Sequence, residues 1–197
     1  MAKILYWYGN KVYANITNKC NCRCTFCIRF LHDGLGDADT LWHKEDPSKE
    51  EVLEAIRTFD FKDCKELVFC GYGEPTCALD TLLAAAKTAK EERGLYLRLN
   101  TNGLGSLQNG RDIVPELAEY IDEVSISLNA PTKEDYEKVT RPQLDNAYEA
   151  MKKFAVSCKD KMKVKWTIVD VLPEEQIEAS KKLAAETGIY LRIRKYS

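Results

Sequence analysis

The sequence predicts an α/β fold, an open (β/α)6 partial TIM barrel formed as one domain over residues 1–197, and two observations predict it. Short β-like runs alternate with helical stretches at roughly 30-residue intervals, the pattern of βαβ units on a parallel sheet. Along those runs, apolar residues keep one parity and polar or charged residues the other. Strands covered by helices on both faces read as near-continuous apolar runs, and these do not. A wide, partly open barrel, with one face on helices and the other lining a polar lumen, accounts for both observations. Its ligand site is then the lumen, entered from the C-terminal ends of the strands.

The elements follow in order. Residues 4–16 read as a hairpin turning at Gly9-Asn10, with its second arm running on as a strand over 12–17. Further strands are expected at 66–71, 96–100, 123–128, 164–169 and 190–194. Ser48 with Glu51 three residues on is a capping box that opens a helix near residue 49. Asp80 is read as the cap of an alanine-rich helix ending before Gly94. Pro115 suits the first turn of a helix near 112–120, another helix follows Asn146, and a last one runs from near Pro173 to just before Gly188. Residues 29–46 form a long irregular stretch; such loops in compact domains are functional or disordered, and its place behind a cysteine cluster favours an active-site loop.

Parity assigns the lumen face. Ser125 and Ser127 share it on one strand, Tyr96, Arg98 and Asn100 on another. Lys163, Lys165 and Thr167 take it on the next, and Arg192 and Arg194 on the last. Buried cations need anionic partners, so these arginines either pair with lumen acids or bind an acidic substrate, with pairing favoured.

Lysine plus arginine (29) nearly balance aspartate plus glutamate (31), which gives no reason to expect a nucleic-acid or membrane partner. No apolar run is long enough to span a bilayer and the N-terminus lacks the regions of a signal peptide, so a cytoplasmic location is expected. Eight cysteines there point to metal or redox chemistry rather than a disulfide framework.

Four of them, Cys20, Cys22, Cys24 and Cys27, fall within eight positions just past the first parallel strand. Thiolates suit soft metals, and this spacing lets one loop wrap a cluster. Three readings stand: Cys20, Cys24 and Cys27 holding a 4Fe–4S cluster with one iron open, all four saturating an electron-transfer cluster, or four thiolates on structural zinc. A roomy polar lumen above the cluster favours the first.

The segment Cys20-x3-Cys24-x2-Cys27, with Phe26 before the last cysteine, resembles the signature of the radical S-adenosylmethionine (SAM) superfamily. Gly71-Tyr72-Gly73-Glu74-Pro75 resembles the family's Gly-Gly-Glu-Pro motif, with Tyr72 in place of a glycine. Residues 99–103 and 124–129 agree more weakly, and the likeness is strongest to the small radical SAM proteins associated with TatD-type hydrolases. The resemblance implies a 4Fe–4S cluster on Cys20, Cys24 and Cys27, and SAM on the fourth iron. It further implies reductive SAM cleavage and hydrogen-atom abstraction from an unknown substrate. An electron donor such as flavodoxin or ferredoxin and a TatD-type partner follow from it as well.

The resemblance also assigns SAM contacts. Phe26 is expected near the adenine, and Gly73 and Glu74 at the methionyl amine. Thr101 and Asn102 are expected to hold the methionyl part or only to shape an Asn-Gly turn. Ser125 and Ser127 are expected at the ribose or carboxylate; Lys165 is a candidate for the carboxylate or an exposed strand lysine. Cys22 reads as a spare surface thiol. The rivals are an activating enzyme for a glycyl-radical protein and a non-enzymatic iron–sulfur or metal-binding module.

Overall fold

The structure, a computed structural model, describes residues 2–195. Its seven strands form one sheet in chain order. Strands β1 (Leu5–Tyr8) and β2 (Lys11–Ala14) form the antiparallel hairpin expected around Gly9. From β2 onward every neighbouring pair is parallel: β3 (Glu66–Phe69), β4 (Tyr96–Thr101), β5 (Glu123–Ser127), β6 (Lys163–Val169) and β7 (Tyr190–Arg194). Six parallel strands laid side by side in sequence order are the (β/α)6 arrangement, left open where a full barrel would close.

The parity reading places the core. Val12, Leu67, Leu97, Leu99, Val124, Ile126, Trp166 and Ile168 are fully buried. They pack on helices α1 (Lys49–Thr58), α2 (Leu79–Glu91), α6 (Ala147–Lys159) and α7 (Glu174–Thr187), with α3 (Gly105–Gln108) and α4 (Val114–Ala118) filling the β4–β5 crossover. The capping box at Ser48 is complete: Glu51 N donates to Ser48 Oγ at 3.2 Å and Ser48 N donates to Glu51 Oε2 at 2.8 Å. Helix α7 stops at Gly188, whose φ of 62° ends it in the left-handed conformation.

Three expectations need correction. Asp80 does not cap α2; the helix begins at Leu79, after a 3-10 turn over Pro75–Ala78, so Asp80 lies inside its first turn. The first parallel strand ends at Ala14 rather than running to 17; past it, the Asn15 amide still donates to Ile4 O at 2.7 Å while its side chain holds Leu41 O and Tyr72 N. The crossover from β5 to β6 carries two helices rather than one. The additional helix, α5 (Lys133–Thr140), is capped by Thr132, whose Oγ1 accepts from Asp135 N at 3.2 Å.

The stretch 29–46 is an ordered strap. Trp7 N donates to Asp37 Oδ1 (2.8 Å) and Asp37 N donates to Trp7 O (3.0 Å), which fixes the strap to the outer rim of β1. Ala38 and Leu41 of the strap pack with Tyr6 and Tyr72 in a small second core. Among the described residues, no helix is long and apolar enough to cross a membrane.

Candidate active site at the barrel mouth

The cysteine loop leaves β2 over the C-terminal ends of the strands. Two neighbours set its path. Glu74 N donates to Lys19 O (2.8 Å), so the turn after β3 grips the loop just before Cys20. Beyond it, Arg23 N donates to Thr140 O and Thr25 N to Val139 O, both at 2.9 Å, and Gln143 N donates to Asn21 O at 2.9 Å. The end of α5 is thus the second wall of the loop. Gly73 is glycine for a steric reason. A Cβ there would lie 2.3 Å from Thr17 O and 2.6 Å from Lys19 O, both backbone atoms.

The four thiols are not equivalent. Cys20, Cys24 and Cys27 are half-buried, whereas Cys22, expected at the surface, is 3% exposed and belongs to the main core, into which the loop turns it. Asn102 Nδ2 donates to Cys22 Sγ at 3.5 Å. Cys22 and Cys24 act on one another, which pulls the Cys24 thiol below its ordinary value and pushes Cys22 above its own. Burial, with the Glu74 charge added, pushes the Cys20 thiol up to about 12, and burial raises Cys27. Arg29 opposes this: its charge acts on Cys20, Cys24 and Cys27 alike and favours their thiolates.

These donors fit a cluster. Three half-buried thiols share one loop with a fourth, Cys22, that is buried in the core. Among the described residues no three His, Cys, Asp or Glu side chains are gathered as for a single metal ion. A cubane asks for something different, because each of its thiolates binds its own iron.

Glu74 sits at the centre of a polar knot. Its carboxylate is 5% exposed and accepts from Thr76 N (3.1 Å), Thr76 Oγ1 (2.8 Å), Thr101 Oγ1 (2.7 Å) and Asn102 N (2.8 Å). Asn102 Nδ2 continues the knot by donating to Asn21 Oδ1 at 2.6 Å. The structure therefore brings Glu74, Thr101 and Asn102 together beside the cysteine loop. Their side chains bind one another, which leaves the local backbone as the surface offered to a ligand.

The other expected residues spread over the lumen and mouth. Ser125 lies between Asn100 and Lys165 in register, and Ser127 is level with Thr167. Lys165 Nζ donates to Glu123 Oε1, and this pair is well shielded. Burial would raise Glu123, but Lys165 and Arg98 outweigh it and hold the carboxyl below its ordinary value. Arg98, 7% exposed, stands 3.4 Å from Glu66, which also pairs with Lys11. Phe26 lines an open hollow of about 410 Å3 with Thr25, Val139, Leu172, Pro173 and Gln176, within the range of roughly 300–1,000 Å3 typical of small-molecule sites.

Two organising residues carry no motif. Asn15, fully buried, donates from Nδ2 to Leu41 O (2.7 Å) and accepts from Tyr72 N at 3.1 Å. It ties the strap to the glycine turn, and its lumen parity was the one sequence signal. Arg29 donates to Asn18 O (3.4 Å) and Tyr72 O (3.5 Å) between the rings of Phe30 and Trp42. Tyr72, the departure from the glycine motif, is buried, packs edge-on to Trp42 at 5.2 Å and donates its hydroxyl to His32 O. It replaces backbone freedom with a hold on the strap. His43 Nε2 lies 2.9 Å from Asn15 O, and Asn18 Nδ2 donates to the His43 carbonyl, so His43 also serves the strap.

Comparison with known proteins decides the family. The profile of the Radical SAM superfamily matches residues 14–185. The chain belongs to the radical SAM superfamily. Members of this superfamily are enzymes that work with a 4Fe–4S cluster and SAM. A probable GTP 3′,8-cyclase of Thermococcus kodakarensis is 26% identical over 181 residues, 91% of this chain and 54% of that protein. A second, of Methanocaldococcus jannaschii, is 29% identical over 127 residues, 64% of this chain and 39% of that protein. The chain thus spans about half or less of the length of these radical SAM relatives. Among solved structures, Streptococcus suis SuiB bound to SAM aligns at TM-score 0.59 and 19% identity, covering 94% of this chain and 38% of that one. Methylornithine synthase aligns at TM-score 0.64 and 15% identity, covering 97% and 56%. Both share the fold.

Proposed function

We propose that this radical SAM chain binds a 4Fe–4S cluster through Cys20, Cys24 and Cys27, cleaves SAM reductively and abstracts a hydrogen atom from a substrate in the lumen. One observation carries the reading: three half-buried thiols stand at the mouth of a polar lumen while Cys22 is withdrawn into the core. That withdrawal disfavours a fully thiolate-ligated electron-transfer cluster or a four-cysteine zinc site. Cys20, Cys24 and Cys27 would hold the cluster, which when bound and reduced would supply the electron for cleavage of SAM to methionine and a 5′-deoxyadenosyl group.

The chain's own residues bind and orient. The hollow lined by Phe26 takes the adenine. The backbone at Gly73 and Glu74, held by the knot to Thr101 and Asn102, faces the methionyl amine. Ser125 and Ser127 serve the ribose or carboxylate. Lys165 reaches the carboxylate only by exchanging its bond to Glu123.

From the likeness of the four motifs we further propose kinship with the small TatD-associated radical SAM proteins, with a TatD-type hydrolase as partner. The curated relatives are named for a reaction on GTP, which makes GTP the first compound to assay. We further propose a cytoplasmic location and a flavodoxin or ferredoxin as electron donor.

The test is anaerobic reconstitution with iron and sulfide, reduction, addition of SAM and detection of 5′-deoxyadenosine. Iron uptake without that product would leave electron transfer as the function. Zinc content with no iron uptake would make the cysteine loop structural.

A further inference from the structure

The charges of the lumen do not cancel. Lys11, Arg98 and Lys165 share two carboxylates, Glu66 and Glu123, in one alternating chain across β2 to β6. Tyr96 Oη donates to Glu123 Oε2 at 3.2 Å and completes it. Both acids are therefore engaged. Arg192 and Arg194 share the same face on β7, level with Thr167 and Val169 towards the mouth. Both are exposed, and among the described residues neither guanidinium has a carboxylate in ion-pair contact.

We propose that Arg192 and Arg194 grip an oxyanion group of the substrate, phosphoryl or carboxylate, at the barrel mouth. The proposal rests on the radical SAM reading above and adds the substrate class to it. Residues two apart on a strand stand about 7 Å apart on one face, close enough for two guanidinium forks to converge on one anion. Like charges so placed repel, and a shared anion relieves that repulsion. Arginine at a sheet margin also deters strand addition, but that role needs no position on the lumen face. The serine and threonine hydroxyls of neighbouring strands, Ser127 and Thr167, lie level with Arg192 and offer further hydrogen bonds.

The test uses the reconstituted whole chain and the double variant R192Q/R194Q, with K181Q on the outer face of α7 as a charge control. Inorganic phosphate and malonate are titrated separately by calorimetry, and SAM affinity and substrate-free 5′-deoxyadenosine formation are measured alongside. The wild type should bind at least one anion, and the better of the two assigns phosphoryl or carboxylate. The double variant should lose about tenfold or more in that affinity, with SAM binding and substrate-free cleavage unchanged and K181Q like wild type. Absence of anion binding, its survival in the double variant or an equal loss in K181Q would overturn the proposal. A parallel loss of SAM affinity would also overturn it, by assigning the arginines to the cofactor's carboxylate. Failure of the wild type to cleave SAM would sink the enzymatic reading instead, and the anion titration would still be readable.

Discussion

Replacing Gly73 with alanine places a methyl group where two carbonyl oxygens already stand, 2.3 and 2.6 Å away on Thr17 and Lys19. Neither oxygen is the far end of a flexible side chain. Their segment is pinned to the strap, with Thr17 Oγ1 donating to Asp46 Oδ2 and Asn18 N to Asp46 Oδ1, both at 2.7 Å. The turn after β3 must therefore move away from the loop. Overpacking of this kind costs about 1–3 kcal/mol, and losing the bond from Glu74 N to Lys19 O adds about 1 kcal/mol. The sum, about 2–4 kcal/mol, corresponds to a fall in Tm of about 5–15 °C for a chain of this size. The same shift moves Cys20 relative to the other thiols, so reconstituted iron should fall with stability. Thermal unfolding of the metal-free chain and iron analysis after reconstitution check both. Melting within about 2 °C of wild type, together with full iron loading, would refute the claim that this contact sets the loop.

Other outcomes follow from the same geometry. Cys22→Ala should keep the visible absorption of the cluster and Cys24→Ala should abolish it, as read after parallel reconstitutions. Glu123→Gln should cost about 1–3 kcal/mol at neutral pH by leaving Lys165 without its charge-assisted bond. Because the Glu123 carboxyl is held below its ordinary value of 4.5, that contribution is present above 4.5 and is lost as pH falls through the lowered folded value. Melting curves of wild type and variant should therefore converge in acid, and a gap independent of pH would contradict the pairing. Ser48→Ala should lower stability by about 1 kcal/mol with SAM cleavage unchanged, since the capping box lies on α1.

Much of this was legible in the sequence, for identifiable reasons. Strand parity is local, so Val124, Ile126, Ser125 and Ser127 could be assigned to faces without tertiary information. The cysteine spacing and the Gly73-Glu74-Pro75 turn are short-range patterns as well. What escaped depends on contacts between distant segments. Arg98 and Lys165 were read as lumen cations, but their partners Glu66 and Glu123 sit at strand starts. They open the strands expected at 66–71 and 123–128, but nothing local shows which cation of a neighbouring strand each one meets. Glu74 looked like a ligand contact because nothing local shows that Thr101 and Asn102, 27 and 28 residues on, fill its carboxylate. Helix α5 is short and mostly polar, so its apolar signal rests on few residues, Tyr136 chief among them. Asn15 and Arg29 organise the site through partners up to 57 residues away.

The attachment of Asp37 to Trp7 has a consequence beyond the mouth. An unclosed sheet has two margins, and each is a template on which a foreign strand can grow. At β1 the amide and carbonyl of Trp7 are both occupied by Asp37 of the same chain. Among the described residues, no further strand pairs with β7. The two margins are thus guarded differently: at β1 a foreign strand would first have to strip away the strap that also steadies the glycine turn, while on β7 the charges of Arg192 and Arg194 oppose it.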